Sequence, residues 1–222
     1  MALPNLLLAS SSPRRRQLLS LAGWAFTIAT VEVDETPFPA EQPQPYTLRL
    51  AEAKARAVLS LAAAGTFILA ADTTVADGEV LLGKPAGADE ARQMLQRLHG
   101  RTHQVYTAIA LLDPASGRLL TDLCCTQVPM REYSDDEMEA YIASGDPLDK
   151  AGAYAIQNSD FHPVTGFRGC FASVMGLPLC HLNRLLARFN VAPHQDAAQA
   201  CQTSLHYECP IYPAVLRGED AG

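Results

Sequence analysis

The sequence contains no apolar run approaching the roughly 18 residues that a membrane-spanning helix needs, so no membrane partner is expected. It also lacks an excess of basic charge. Its 17 Lys and Arg face 24 Asp and Glu, a formal net charge of −7. General affinity for DNA or RNA is therefore not expected, and any anion site has to be local. A secretory leader is not expected either, because the apolar run near the start is short and basic residues follow it instead of preceding it. The six cysteines form no short-domain disulfide framework, which fits a reduced, cytoplasmic protein. Three nucleotide and hydrolase signatures are missing. There is no glycine-rich loop closed by Gly-Lys-Ser/Thr, no G-x-G-x-x-G and no G-x-S-x-G. Internal repeats and low-complexity tracts are absent too.

What is present begins at Leu6-Leu7-Leu8-Ala9-Ser10-Ser11-Ser12-Pro13-Arg14-Arg15-Arg16. This reads as a short buried strand, a serine loop and a helix, with Ser12 as N-cap and Pro13 at the first helical position. Three arginines in a first helical turn face the positive end of the helix dipole, which is unfavourable by a few tenths of a kcal/mol each, roughly. Amides, hydroxyls and guanidiniums gathered there make sense around an anion. A solvated basic helix face would normally carry its arginines at the other end.

Along the chain, strand character at Trp24 to Val33 ends in Asp34-Glu35, and a proline-rich loop covers Thr36 to Pro45. A helix over Tyr46 to Ala64 carries Lys54 on the same stripe as Leu50, Ala57, Val58 and Leu61. An apolar strand from Thr66 to Ala71 terminates at Asp72-Thr73-Thr74, and Asp77-Gly78 signals a hairpin to Glu79 through Leu82. Further elements are a helix at Ala88 to Leu98, strands at His103 to Leu112 and Arg118 to Met130, and a capping-box helix from Ser134 to Ala143. A small-residue segment spans Asp149 to Gln157, followed by a strand near Cys170 to Met175 and a helix to Phe189. No element is expected beyond Asn190, so residues 191–222 read as a tail that is irregular or only loosely docked. Helices interleaved with strands and hairpins give an α/β class with a mixed sheet.

Polar residues gather at the expected strand ends, where α/β sheets place ligands. Asp72 and the pair Asp34-Glu35 offer carboxylates, while Arg14, Arg15, Lys54 and Lys84 offer cations from separate elements. Carboxylates with one divalent ion suit phosphoanhydride chemistry. On spacing alone, Asp72 caps a turn at least as readily as it does chemistry. Cys201 and Cys209 with His194 and His206 match no standard zinc spacing.

Taken together, Leu8-Ala9-Ser10-Ser11-Ser12-Pro13-Arg14-Arg15, Ala51-Glu52-Ala53-Lys54-Ala55, Ala71-Asp72-Thr73, Gly83-Lys84-Pro85, Asp149-Lys150-Ala151-Gly152-Ala153-Tyr154 and Val174-Met175-Gly176-Leu177-Pro178 resemble, in order, the blocks of the Maf family of nucleoside triphosphate pyrophosphatases. The resemblance implies a Maf/ITPase-like mixed, twisted sheet flanked by helices, with a cleft between two lobes. It implies a domain over residues 1–190, with 191–222 as a tail of unknown role. The implied reaction is hydrolysis of the α–β phosphoanhydride, helped by Mg²⁺ or Mn²⁺, in a hydrolase acting on acid anhydrides.

Carried over by position, Asp72 is the general base and a metal ligand, with Asp34 or Glu35 near the metal. Ser10, Arg14, Arg15, Lys54 and Lys84 hold the triphosphate. Arg14, Thr73 and Gln157 match specificity positions, and the Asp149–Gln157 block resembles the branch acting on dTTP and UTP. A neutral amide at Gln157 suits a pyrimidine edge that both donates and accepts. The expected partner is a nucleoside triphosphate, with a homodimer as the candidate assembly. Rival readings are a 7-methyl-GTP or other nucleotide pyrophosphatase of the same family, and a nucleotide-sensing regulator of cell division that binds without turnover. Residues 158–169 form a longer stretch than the family's usual short glycine-rich turn.

Overall fold

The computed structural model describes residues 5–30, 32–193, 195–219 and 221. Its centre is a six-stranded mixed sheet of order β2-β1-β3-β5-β6, with β4 paired to β3 off that path. The strands are β1 (Asn5–Ala9), β2 (Phe26–Ala29), β3 (Thr66–Asp77), β4 (Val80–Leu82), β5 (Thr102–Leu112) and β6 (Leu119–Pro129). β1 runs parallel to both β2 and β3, whereas β3, β5 and β6 form an antiparallel meander. The helices are α1 (Pro13–Leu21), α2 (Pro43–Ala57), α3 (Ala88–Leu98), α4 (Asp135–Ala143), α5 (Phe171–Met175), α6 (Leu179–Arg188), α7 (Ala197–Leu205) and α8 (Tyr212–Leu216). None of the described helices is long and apolar enough to cross a membrane.

Strand alternation divides the core. Leu7, Ala9, Ile68, Ala70, Ala108 and Ala110 point to the face covered by Ala51, Ala55 and Val58 of and just after α2. Leu6, Leu8, Leu69, Ala71, Ile109 and Leu111 point to the opposite face, under Leu18 and Leu19 of α1 and Leu182, Leu185 and Leu186 of α6. A third cluster joins the far halves of β3, β5 and β6, through Val75, Val105 and Val128, to α3 and α4. That cluster is the second lobe.

Several local expectations need correction. β3 does not stop before Asp72. It continues for five residues beyond it, because β5 pairs with it from Ile68 through Ala76. α2 starts at Pro43 instead of Tyr46, since prolines are tolerated in a first turn, where the amide hydrogens have no intrahelical partner. Cys170 to Met175 is a helix start and not a strand. The Cys170 side chain accepts from the Ser173 amide, and Gly176 closes the turn at φ +113°. The tail holds α7 and α8, and Ala197, Ala198 and Val215 are buried. Asp196 caps α7 by accepting from the Gln199 amide, a signal that was legible in the sequence. The stretch 158–169 is folded as well. Phe161 stacks on Tyr141 at 4.2 Å, and Met130 bridges to Val164. His194 lies outside the described residues.

Candidate active site

The site arises from a mismatch in strand length. On one edge of β3, pairing with β1 ends at Leu8–Leu69, and pairing with β4 begins only at Val75–Leu82. Between them Ala70 to Thr74 have no strand neighbour on that edge, while β5 holds the other edge throughout. Both faces of β3 therefore open to one cleft at this gap. By alternation Asp72 continues the row of Ile68 and Ala70 toward α2, and Thr73 continues the row of Leu69 and Ala71 toward α1 and α5. The cleft, of about 770 Å³, is large enough for a small polar ligand such as a nucleotide.

On the α2 side, Lys54 Nζ lies 2.6 Å from Asp72 Oδ1 and 2.7 Å from Glu35 Oε1. The Asp72 residue is only 6% exposed, and its Oδ2 lies 3.4 Å from the Thr74 hydroxyl. Tyr46 donates to the Glu35 carbonyl at 2.8 Å. Burial, reinforced by Asp72 and Glu35, pushes the Tyr46 phenol up to about 12. The Lys54 ammonium thus occupies a cation position between two carboxylates. Among the described residues no three His, Cys, Asp or Glu side chains gather to hold a metal. Two carboxylates do suit a hard divalent ion that completes its shell with water and substrate phosphate.

On the α1 side, Arg15 is folded back across the serine loop. Its Nε donates to the Gly176 carbonyl at 2.9 Å, and its two terminal nitrogens donate to Ser10 Oγ and Thr73 Oγ1 at 3.2 Å each. Burial pulls the guanidinium's affinity for its proton down, and the nearby Asp72 acts against that. A guanidinium carries five N–H donors, so two remain for a ligand. Ser10 Oγ accepts from Arg15 and also from the Ser12 amide at 3.2 Å. Its own hydrogen is left to donate.

The remaining expected residues are spread around this pair of poles. Arg14, Lys84 and Gln157 line the cleft. Arg14 reaches Asp149 only at 3.9 Å, and Lys84 and Gln157 are exposed. Lys150 is buried beside Asp149, to which it donates at 2.6 Å. Asp34 is not brought to the cleft. Its side chain turns to accept from the Thr36 amide at 2.9 Å, and hydrogen bonding from the Thr36 side chain, then from its amide, holds the carboxyl below the usual range. Arg16 is exposed on α1.

Sequence reading missed two contributors. Thr107 of β5 lies directly across from Thr73 in the sheet register, with 3.1 Å between the hydroxyl oxygens. Gly176 supplies the carbonyl that pins Arg15, and a Cβ there would sit 3.3 Å from Arg15 Nε and 3.4 Å from Thr73 Oγ1. From sequence, Gly176-Leu177-Pro178 reads as the opening of a helix, and the side chains that the glycine has to clear are not legible there.

Comparison with known proteins follows the same outline. The family model described as Maf-like protein matches residues 5–189. A dTTP/UTP pyrophosphatase of Myxococcus xanthus is 49% identical over 82% of this chain and 91% of its own. One from Anaeromyxobacter dehalogenans is 46% identical, covering 83% and 94%. One from Thermomicrobium roseum is 43% identical and covers 98% of both chains, so its match extends into α7 and α8. Among solved structures, the Ham1 protein of Staphylococcus aureus has a TM-score of 0.40 and 14% identity, over 57% of this chain and 71% of that one. With the family model matching residues 5–189 and these pyrophosphatase relatives at 43–49% identity, the chain belongs to the family of Maf-like proteins.

Proposed function

We infer that the chain is a dTTP/UTP pyrophosphatase, which adds water across the α–β phosphoanhydride to release the nucleoside monophosphate and pyrophosphate. The observation that carries this reading is the meeting of two poles in one cleft. Arg15 and Ser10 aim donors inward, 3.2 Å from each other, and Lys54 sits between Glu35 and Asp72. The relatives named above give the substrates.

In this reading Ser10, Arg14, Arg15, Lys54 and Lys84 hold the triphosphate. Lys54 neutralises two carboxylates, and phosphate oxygens offer its ammonium a second set of partners. Asp72 takes the proton of the attacking water as the anhydride breaks and pyrophosphate leaves. Glu35 and Asp72 would hold the divalent cation, which supplies neutralisation of phosphate charge when bound. Asp34, turned to its own backbone, is not among the ligands. Gln157 and Thr73 meet the base. Six cysteines with no disulfide among the described residues fit a cytoplasmic setting.

Incubation of the protein with a nucleotide panel and Mg²⁺ or Mn²⁺ tests the reading. Pyrophosphate and monophosphate should appear fastest from dTTP and UTP. Release of inorganic phosphate alone, or preference for a purine nucleotide, would overturn it.

A further inference from the structure

Thr107 is buried and does not line the cleft, yet its hydroxyl touches that of Thr73, which does. Its Oγ1 lies 2.8 Å from the Ser173 carbonyl and 3.1 Å from Thr73 Oγ1. A hydroxyl has one proton, and a carbonyl has none. Two oxygens 2.8 Å apart with no hydrogen between them repel, so the Thr107 proton belongs to the Ser173 carbonyl. The contact to Thr73 is then a hydrogen bond only if Thr73 donates and Thr107 accepts. With its one proton committed, Thr73 can only accept from everything else. One lone pair takes the Arg15 N–H, and one is left for a donor in the cleft that Thr73 lines.

The same logic gives Ser10 the opposite character. Both of its lone pairs are taken, and its proton is free. Arg15 thus stands between a serine that offers a hydrogen and a threonine that offers a lone pair. A phosphate oxygen has lone pairs only, so it pairs with Ser10 and is repelled at Thr73. The group at Thr73 must bring a hydrogen.

We propose that Thr107 is a positioning residue for specificity: it makes Thr73 an obligate acceptor, which takes the ring N3–H of uracil or thymine and rejects cytosine, whose N3 is a lone pair. This rests on the pyrimidine reading above and deepens it. UTP and CTP share a sugar and phosphates and differ at N3 and C4, so they isolate the base edge from a ribose hydroxyl donating at the same place.

The test is the ratio of CTP to UTP dissociation constants, measured by calorimetry in buffer without divalent cation, so that UTP is not consumed, for the wild-type protein, Thr107→Val and Thr107→Ser. The wild-type substrate panel tests the function separately, because this ratio needs no turnover. Valine keeps the branched shape but frees the Thr73 proton to rotate toward the cleft. It should shrink the ratio by about three- to tenfold, the range of one hydrogen bond, chiefly by weakening UTP. Serine keeps the hydroxyl and should hold the wild-type ratio, which also covers the case in which the valine variant folds poorly. Equal weakening of both nucleotides by valine would assign Thr73 to the sugar and overturn the proposal. So would a serine variant whose ratio falls.

Discussion

Lys54 and Asp72 are paired across 2.6 Å, with side chains only 13% and 8% exposed, and they stand 18 residues apart in sequence, on α2 and β3. The pair ties α2 to β3 at the open edge, beside the apolar packing of Ala51 and Ala55. Removing the ammonium leaves two carboxylates, Glu35 and Asp72, facing one another's charge without the cation that touches both. Lys54→Met should therefore lower stability by about 2 kcal/mol in denaturant titrations, the order expected when a buried charged group loses its partner. An unchanged midpoint would show that solvent in the cleft replaces the lysine fully.

Asp72→Asn separates chemistry from folding. The amide keeps the shape and the Thr74 contact, so the melting temperature should move by only a few degrees, whereas a lost general base costs about 10²–10⁴ in rate. The measurement is kcat for pyrophosphate release beside thermal unfolding. Near-normal kcat would remove Asp72 from that role.

Much of this arrangement was legible, and the errors were informative. The elements of strong period came through: α3 with Ala91, Leu95 and Leu98, the capping box at Ser134, and the Gly78 hairpin. Asp72 read as a strand end because Asp-Thr-Thr interrupts an apolar run. In fact those polar residues are the part of β3 that has lost its β1 neighbour, so polarity marked the cleft and not the end of the strand. Cys170 to Met175 is too short an apolar run for periodicity to tell helix from strand. The Arg15–Thr73–Thr107 chain could not be read at all. It joins residues 58 and 34 positions apart, and only sheet register brings them together.

Gly176→Ala probes how tightly that chain is packed. At φ +113° a side chain is strained, and the added Cβ would press on Arg15 Nε at 3.3 Å while Arg15 is held by the carbonyl of the same residue. The variant should cost about 1–3 kcal/mol in stability and raise KM more than it lowers kcat. Steady-state kinetics on UTP with a denaturation curve check this. A stable variant with wild-type KM would mean that Arg15 need not stay in its present place.

His103 makes stability depend on pH away from the cleft chemistry. It is fully buried, with Nε2 2.9 Å from the Tyr154 hydroxyl and Nδ1 unpartnered, and burial holds its pKa down at about 4 from an ordinary 6.5. Because the folded value is the lower one, the unfolded chain binds the extra proton first. Stability is full above about pH 6.5 and falls as pH drops toward 4, by up to about 1.4 kcal/mol per unit. His103→Phe should flatten the part of the stability profile between those values. An unaltered slope would place the acid sensitivity elsewhere.

The last prediction concerns α7 and α8. They bury Ala197, Ala198 and Val215 against the α1 and α6 side of the core, where Leu182 and Leu185 are wholly covered. Polar ties reinforce the seam: Tyr207 accepts from the Gly169 amide at 3.1 Å, Arg184 donates to the Glu219 carbonyl at 2.7 Å, and Gln195 donates to the Leu21 carbonyl. A chain ending at Asn190 would expose that apolar surface. Its unfolding midpoint should fall by an amount corresponding to about 3 kcal/mol or more, from buried area alone. Its denaturant slope should also shrink, since less surface is left to expose. If the shortened chain unfolds at the same midpoint, α7 and α8 are a separable addition to a core that is complete at residue 190. If it loses stability as expected, the folding unit extends past the family match at residue 189 and includes the tail.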